Sequence, residues 1–132
     1  PVHLNPKVRK PVYEILGNTK NIILTNPMNY QDFIWLMNKC EIVISDSGGV
    51  QEEAPTFGKP VLVLRDSTER PEALNAGTVI LVGTNKKLII NHTNELLKDD
   101  VRYKKFSKLA NPYGDGTASV QIRSVMENKF TI

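Results

Sequence analysis

The run Ser45-Asp46-Ser47-Gly48-Gly49 follows the apolar triplet Ile42-Val43-Ile44 and leads into a short helix starting near Val50. Two adjacent glycines let the backbone approach a ligand closely, and the N–H groups of the first helical turn present positive potential to an anion. Ser47 adds a hydroxyl donor. A phosphate suits that chemistry. The same residues also fit a plain strand–helix turn with Asp46 or Ser47 as N-cap, and spacing alone leaves both readings open. The run is neither a Walker loop nor G-x-G-x-x-G, so no motif supports ATP or dinucleotide binding. Within Gln51-Glu52-Glu53, a carboxylate one turn into the helix can accept from two neighbouring hydroxyls, as an acidic residue does with ribose. Its bland alternative is a charge that complements the helix N-terminus.

The second chemical segment is Arg65-Asp66-Ser67-Thr68-Glu69-Arg70-Pro71-Glu72, dense in charge and set after the run Val61–Leu64. Arg70 can fork onto phosphate or sugar oxygens, or it can pair with Glu69, Glu72 or Asp66 at the surface. Tyr30 and Phe33 offer rings that can cover a nucleobase, yet their spacing with Ile34 and Met37 equally fits a core stripe. His3 stands at a candidate strand end. His92 lies in an amphipathic helix, and neither histidine has neighbours at metal-ligand spacing. Cys40 has no nearby His, and no G-x-S-x-G elbow is present.

These segments need a scaffold that brings strand ends and helix starts together. Apolar runs at Asn21–Thr25, Glu41–Ser45, Pro60–Leu64 and Thr78–Val82 lack polar alternation, which suits strands buried on both faces of a parallel sheet. Helical periodicity covers Asn29–Asn38, Gly49–Thr56, Lys86–Lys98, Val101–Leu109 and Ala118–Asn128. The linkers are short. The resulting β-α order implies an α/β, Rossmann-like doubly wound parallel sheet, in which ligands bind beyond the C-terminal strand ends. Val2-His3-Leu4 reads as the tail of a further strand, so the chain is expected to start in mid-fold within a longer parent.

Composition narrows the classes. The chain has 132 residues, 40% hydrophobic and 23% charged, which fits a single globular domain rather than a disordered or disulfide-stapled one. No apolar stretch approaches the roughly 20 residues of a membrane span. A lone cysteine points weakly to a reducing, cytoplasmic compartment. Net charge is +3, but residues 41–75 hold seven acids against three bases, so the most motif-like segment is acidic. A nucleic-acid binder concentrates its bases there instead.

The run Ser45 through Pro55, together with Gly58-Lys59-Pro60-Val61-Leu62-Val63-Leu64-Arg65-Asp66 and Thr68-Glu69-Arg70-Pro71-Glu72, resembles the non-hydrolysing UDP-N-acetylglucosamine 2-epimerases. Val2-His3-Leu4-Asn5-Pro6, Ala76-Gly77-Thr78 and Asn111-Pro112-Tyr113-Gly114-Asp115-Gly116 extend the resemblance over essentially the whole chain. It implies a two-domain glycosyltransferase-B-type fold about three times this length. Residues 1–132 would form the UDP-binding C-terminal domain, incomplete on its N-terminal side, with a final helix near 117–129. The family interconverts UDP-GlcNAc and UDP-ManNAc by eliminating and re-adding UDP, supplies polysaccharide synthesis, and works as a cytoplasmic homodimer without nicotinamide, metal or other cofactor.

Carried over residue by residue, the resemblance implies that Ser47, Gly48 and Gly49 hold the diphosphate and Glu53 the ribose. Arg70 falls on a substrate-binding arginine and Phe33 on the uridine pocket. His3 matches a histidine that contacts a second, regulatory UDP-sugar in some members. Met28 departs from the Gln that some members carry near the base. The family's His-Arg-Arg-Glu motif and its N-terminal carboxylates are absent, so no catalytic residue is assigned and the chain alone is expected to be inactive. The alternatives are a donor-binding domain of a related glycosyltransferase, or a non-catalytic nucleotide-sugar-binding module.

Overall fold

The computed structural model describes residues 1–130. They fall into two compact units, the first Pro1–Leu36 and the second starting at Met37. In the first, α1 (Pro6–Leu16) starts where the Asn5 side chain accepts from Lys7 N, with Pro6 just inside the cap. Proline costs nothing there because its missing N–H belongs to the unbonded first turn. The helix continues through Pro11 and carries Arg9 over the Tyr13 ring at 5.3 Å. α2 (Tyr30–Lys39) begins in this unit and ends in the next, its first turn held by Asn29, whose Oδ1 accepts from Asp32 N.

The two strands expected in the first unit do not form. Residues Val2–Leu4 and Asn21–Thr25 are irregular, and Val2 N donates to Thr25 O at 2.8 Å as the one ladder-like bond between them. A strand is stabilised by successive pairings and by cover for its apolar side chains. Ile23 is 85% exposed, so the second condition fails as well.

The second unit is built on three parallel strands in the order β1 (Val43–Ser45), β2 (Val61–Val63), β3 (Val79–Leu81). Val43, Val61 and Val79 lie in register, as do Ser45, Val63 and Leu81, so the C-terminal strand ends are level. Every residue of β2 is fully buried, although alternate side chains face opposite sides of the sheet. Both faces of the central strand are therefore covered, as the unbroken apolar runs imply. The expected α/β parallel sheet is present, with strands shorter than the apolar runs that mark them.

The connecting helices follow local rules. α3 (Gly48–Glu53) passes into a 3-10 turn over Ala54–Phe57, which Gly58 ends in the left-handed region. A Cβ on Gly58 would also come within 2.7 Å of Ser107 O, so that turn needs glycine twice over. α4 (Pro71–Ala76) opens on a proline and closes on the left-handed Gly77. α5 (Lys86–Lys98) is capped by Asn85 Oδ1, which accepts from Lys87 N and Leu88 N. α6 (Asp100–Ser107) is capped in the same way by Asp99. α7 (Ala118–Phe130) has no buried residue. Leu62, Val82 and Leu96 form the core, with Ile42, Leu64, Ile80, Ile89 and Phe106 packed around them.

Candidate functional site

Level strand ends place three turns side by side at one edge of the sheet. The backbone bonds continue past the strands there: Leu64 N donates to Ser45 O and Val82 N to Val63 O, both at 3.0 Å. The turn after β1 is Asp46-Ser47 leading into Gly48. Ser47 is the N-cap of α3, yet its side chain makes no capping hydrogen bond, and its N–H donates to Ser45 Oγ at 3.1 Å. Ser47 is thus the N-cap by position, as the plain-turn reading allows, while its own hydroxyl is not engaged in the cap. The Ser47 hydroxyl and Gly49 are exposed.

The segment after β2 folds back over that turn. A Cβ built on Gly48 would lie 3.2 Å from Glu69 Oε1 and 3.8 Å from Arg70 Nη2. The glycine is what lets the charged loop come so close. The expected surface partners of Arg70 were Asp66, Glu69 and Glu72, but its Nε donates to Glu52 Oε1 on α3, and its Nη1 reaches Glu69 O at 3.4 Å. The Glu52 carboxylate holds the guanidinium firmly protonated, raising its pKa above the ordinary arginine value. Glu69 is engaged by Arg65, whose Nη1 donates to both carboxylate oxygens at 2.8 and 2.6 Å. A backbone hydrogen bond and then the Arg65 contact hold Glu69 below its usual carboxylate range.

Beneath the loop lies Gln51, fully buried in α3. Its Nε2 donates to Ser47 O at 3.3 Å and its Oε1 accepts from Thr68 Oγ1 at 2.6 Å. The far end of the helix is pinned by Asn111, whose Nδ2 donates to Glu52 O at 3.0 Å and to Thr56 Oγ1 at 2.7 Å. Asn111 Oδ1 closes an Asx turn onto Tyr113 N at 3.1 Å.

Ser47, Gly48, Gly49 and Glu53 thus share α3 and its entry, and Arg70, from the segment after β2, comes close to Gly48 and bonds Glu52 between them. Glu53, half-buried, is the last residue of the helix. Phe33 and His3 belong to the other unit. Phe33 is half-buried on α2, and exposed His3 accepts from Asn5 N through Nδ1 at 3.1 Å. Sequence reasoning missed Glu52 as the partner of Arg70 and Gln51 as the strut below it. Both contacts bridge 17 or 18 residues across the β1-to-β2 crossover, where no local pattern gives a signal. Among the described residues no group of His, Cys, Asp and Glu is arranged to hold a metal, and no helix is long and apolar enough to cross a membrane.

Known proteins with this sequence and shape are consistent in kind. The family profile described as UDP-N-acetylglucosamine 2-epimerase matches residues 1–127. The UDP-N-acetylglucosamine 2-epimerase of Escherichia coli strain K12 is 56% identical over 128 residues, covering 97% of this chain and 34% of that protein. The Campylobacter jejuni enzyme of the same name is 54% identical over 126 residues, covering 96% and 33%. The crystal structure of UDP-GlcNAc 2-epimerase from Neisseria meningitidis bound to UDP-GlcNAc superposes with a TM-score of 0.90 at 50% identity, over 98% of this chain and 35% of that one. A Methanocaldococcus jannaschii UDP-GlcNAc 2-epimerase in complex with UDP-GlcNAc and UDP superposes at 0.75 with 33% identity, over 93% and 34%. The chain spans about a third of the length of these relatives. A sheet edge with a glycine turn under an arginine, and similarity along nearly its whole length, assign this chain to the UDP-N-acetylglucosamine 2-epimerase family.

Proposed function

We propose that this chain is the UDP-gripping part of a UDP-N-acetylglucosamine 2-epimerase, with the diphosphate seated on Ser47, Gly48 and Gly49 beneath Arg70. The observation that carries this reading is the approach of the Arg70 guanidinium to within 3.8 Å of the space left by the missing Gly48 side chain. Arg70 borders that space together with the Arg65-bound Glu69 carboxylate, whose Oε1 lies 3.2 Å away, and a cation beside a helix start is what a diphosphate needs. Glu53 accepts from the ribose hydroxyls. Phe33 lines the uridine, and His3 belongs to a regulatory UDP-sugar site.

In this reading the phosphate grip is also the chemistry. The C1–O bond of the sugar breaks, UDP departs with the bonding electrons, and C2 loses its proton to a base. Protonation of C2 from the other face and return of UDP give the epimer. The helix start and Arg70 stabilise the charge that develops on the leaving diphosphate, where preorganised donors act most strongly. The groups that exchange the C2 proton belong to the part of the parent enzyme outside these 132 residues. That parent is a cytoplasmic homodimer with a second Rossmann-like domain across the cleft.

Calorimetry on the folded chain tests the grip: UDP is expected to bind more tightly than uridine, and equal affinity overturns the phosphate assignment. The chain alone is expected to leave UDP-GlcNAc unconverted and to put no solvent deuterium into C2, because losing a positioned acid–base group costs about 10²–10⁴ in rate. Deuterium at C2 would place the proton-transfer groups within this chain.

A further inference from the structure

We infer that Gln51 is a positioning residue that ties the Ser47–Gly49 turn to Arg70, so that the two halves of the anion grip are set as one unit. The inference rests on the diphosphate reading above and concerns a residue that touches no ligand in it. A fully buried side-chain amide is unfavourable unless both ends are bonded. Both ends of Gln51 are met, and by different loops. Nε2 faces Ser47 O, an acceptor only, so the amide must turn its nitrogen that way. Oε1 then takes the proton of Thr68 Oγ1, which leaves that hydroxyl oxygen to accept from Arg70 N at 3.0 Å.

The chain of bonds therefore has one consistent direction: Arg70 N to Thr68 to Gln51 to Ser47 O. Each link fixes the next. Arg70 N is held by Thr68, which sets the backbone from which the guanidinium extends over Gly48. Ser47 O is the carbonyl of the N-cap, so its orientation sets the entry to the helix whose N–H groups meet the anion. Glutamine suits the middle position because it offers a donor and an acceptor at the reach required. Glutamate when ionised only accepts, and methionine donates nothing and accepts only weakly.

The experiment measures UDP and uridine affinity by calorimetry for the 132-residue chain and for Gln51→Met, Thr68→Val, Thr68→Ser and the Gln51→Met/Thr68→Val double variant. Gln51→Met and Thr68→Val are each expected to weaken UDP by about tenfold, the scale of one hydrogen bond to a charged group. Uridine affinity stays unchanged, the double variant is no worse than either single one, and Thr68→Ser retains the native value. A retained UDP-to-uridine ratio in Thr68→Val overturns the inference, as do equal losses for both ligands or losses that add in the double variant. Should Gln51→Met fail to fold, the half-buried Thr68 pair carries the same test. A native chain that does not prefer UDP over uridine brings down the diphosphate reading and this inference together. A native chain that does prefer it, beside variants that keep the preference, brings down this inference alone.

Discussion

Strand β2 and helix α7 both carry large apolar side chains, which end up in opposite circumstances. Val61, Leu62 and Val63 are completely buried, whereas Val120, Ile122, Val125, Met126 and Phe130 stay between 49% and 66% exposed. The strand is three residues long and has no stability of its own; covering helices and two flanking strands hold it. The helix is held by what lies close in sequence, with Thr117 N donating to Asp115 Oδ1 at 3.0 Å and an Arg123–Glu127 pair at 2.7 Å. Exposed pairs of that type contribute about 0.3–0.5 kcal/mol, and a helix of this length is marginal in water without packing. Apolar content does not set rigidity; cover does. The charged loop of the candidate site hangs from the end of the covered β2, and the glycine turn after the half-covered β1 is tied to that loop through Gln51 and Thr68.

The sharpest way to break this comparison is to remove a side chain from each region. Leu62→Ala is expected to cost about 2–5 kcal/mol in a urea melt, as truncation of a well-packed core residue does. Ile122→Ala is expected to change stability by no more than about 0.5 kcal/mol. Equal costs would mean that α7 is covered in solution. Amide hydrogen exchange gives the same contrast without substitution, since α7 should exchange through local opening and β2 only through global unfolding.

A smaller effect on the fold and a larger one on the ligand are expected at Arg70. Arg70→Ala leaves the melting transition nearly unchanged, because its partner Glu52 is about a third exposed and can return to water. UDP affinity should fall about tenfold or more, with uridine little affected, as for loss of a charge-assisted contact. A fall in stability without a change in UDP binding would make Arg70 a strut and detach it from the site.

How much of this was legible in the sequence follows the same division. β2 was readable because burial on both faces demands an unbroken apolar run, and β1 and β3 carry runs of the same kind although Ile44 of β1 stays 44% exposed. α5 was readable from its period. Helices α1 and α4 are absent from the elements read in the sequence, although each opens on a proline. Asn5-Pro6 and Pro71 with Gly77 are in fact the start and stop signals of those helices. The opening strands were over-read, since apolar residues at Ile22 and Ile23 say nothing about whether a partner covers them. At the site, the glycine turn and Arg70 stood out by residue type. The Glu52 and Gln51 contacts did not, because they exist only once the crossover has brought α3 against the loop after β2.

Glu53 sharpens the comparison within α3 itself, between the end proposed to meet the phosphates and the end proposed to meet the sugar. Glu53→Gln is expected to weaken UDP several-fold, on the order of 1 kcal/mol for hydrogen bonds to a charged acceptor. It should leave 2′,3′-dideoxy-UDP unchanged, because that ligand lacks the hydroxyls. Identical losses for the two ligands would return Glu53 to a structural role.

The smallest expected effect marks where the covered part of the second unit stops. Tyr113 has a buried hydroxyl, while every residue from Gly114 to Phe130 is exposed. Burial raises the Tyr113 hydroxyl above the ordinary tyrosine value of 10.0, and burial likewise raises Tyr103. A group whose folded pKa exceeds its unfolded one contributes stability that is complete below the unfolded value and is lost as pH rises through the folded value. Stability measured by urea melts should therefore be level up to about pH 10, apart from an earlier contribution from Cys40, which burial also raises from 9.0, and should then decline. Tyr113→Phe removes one of the groups responsible, so the decline should become shallower while the stability at pH 8 changes little. An unchanged slope would mean that Tyr113 is already open to solvent. The boundary between the covered body and the exposed helix would then fall before Asn111, and the Asn111 contacts that pin α3 would be working at the surface.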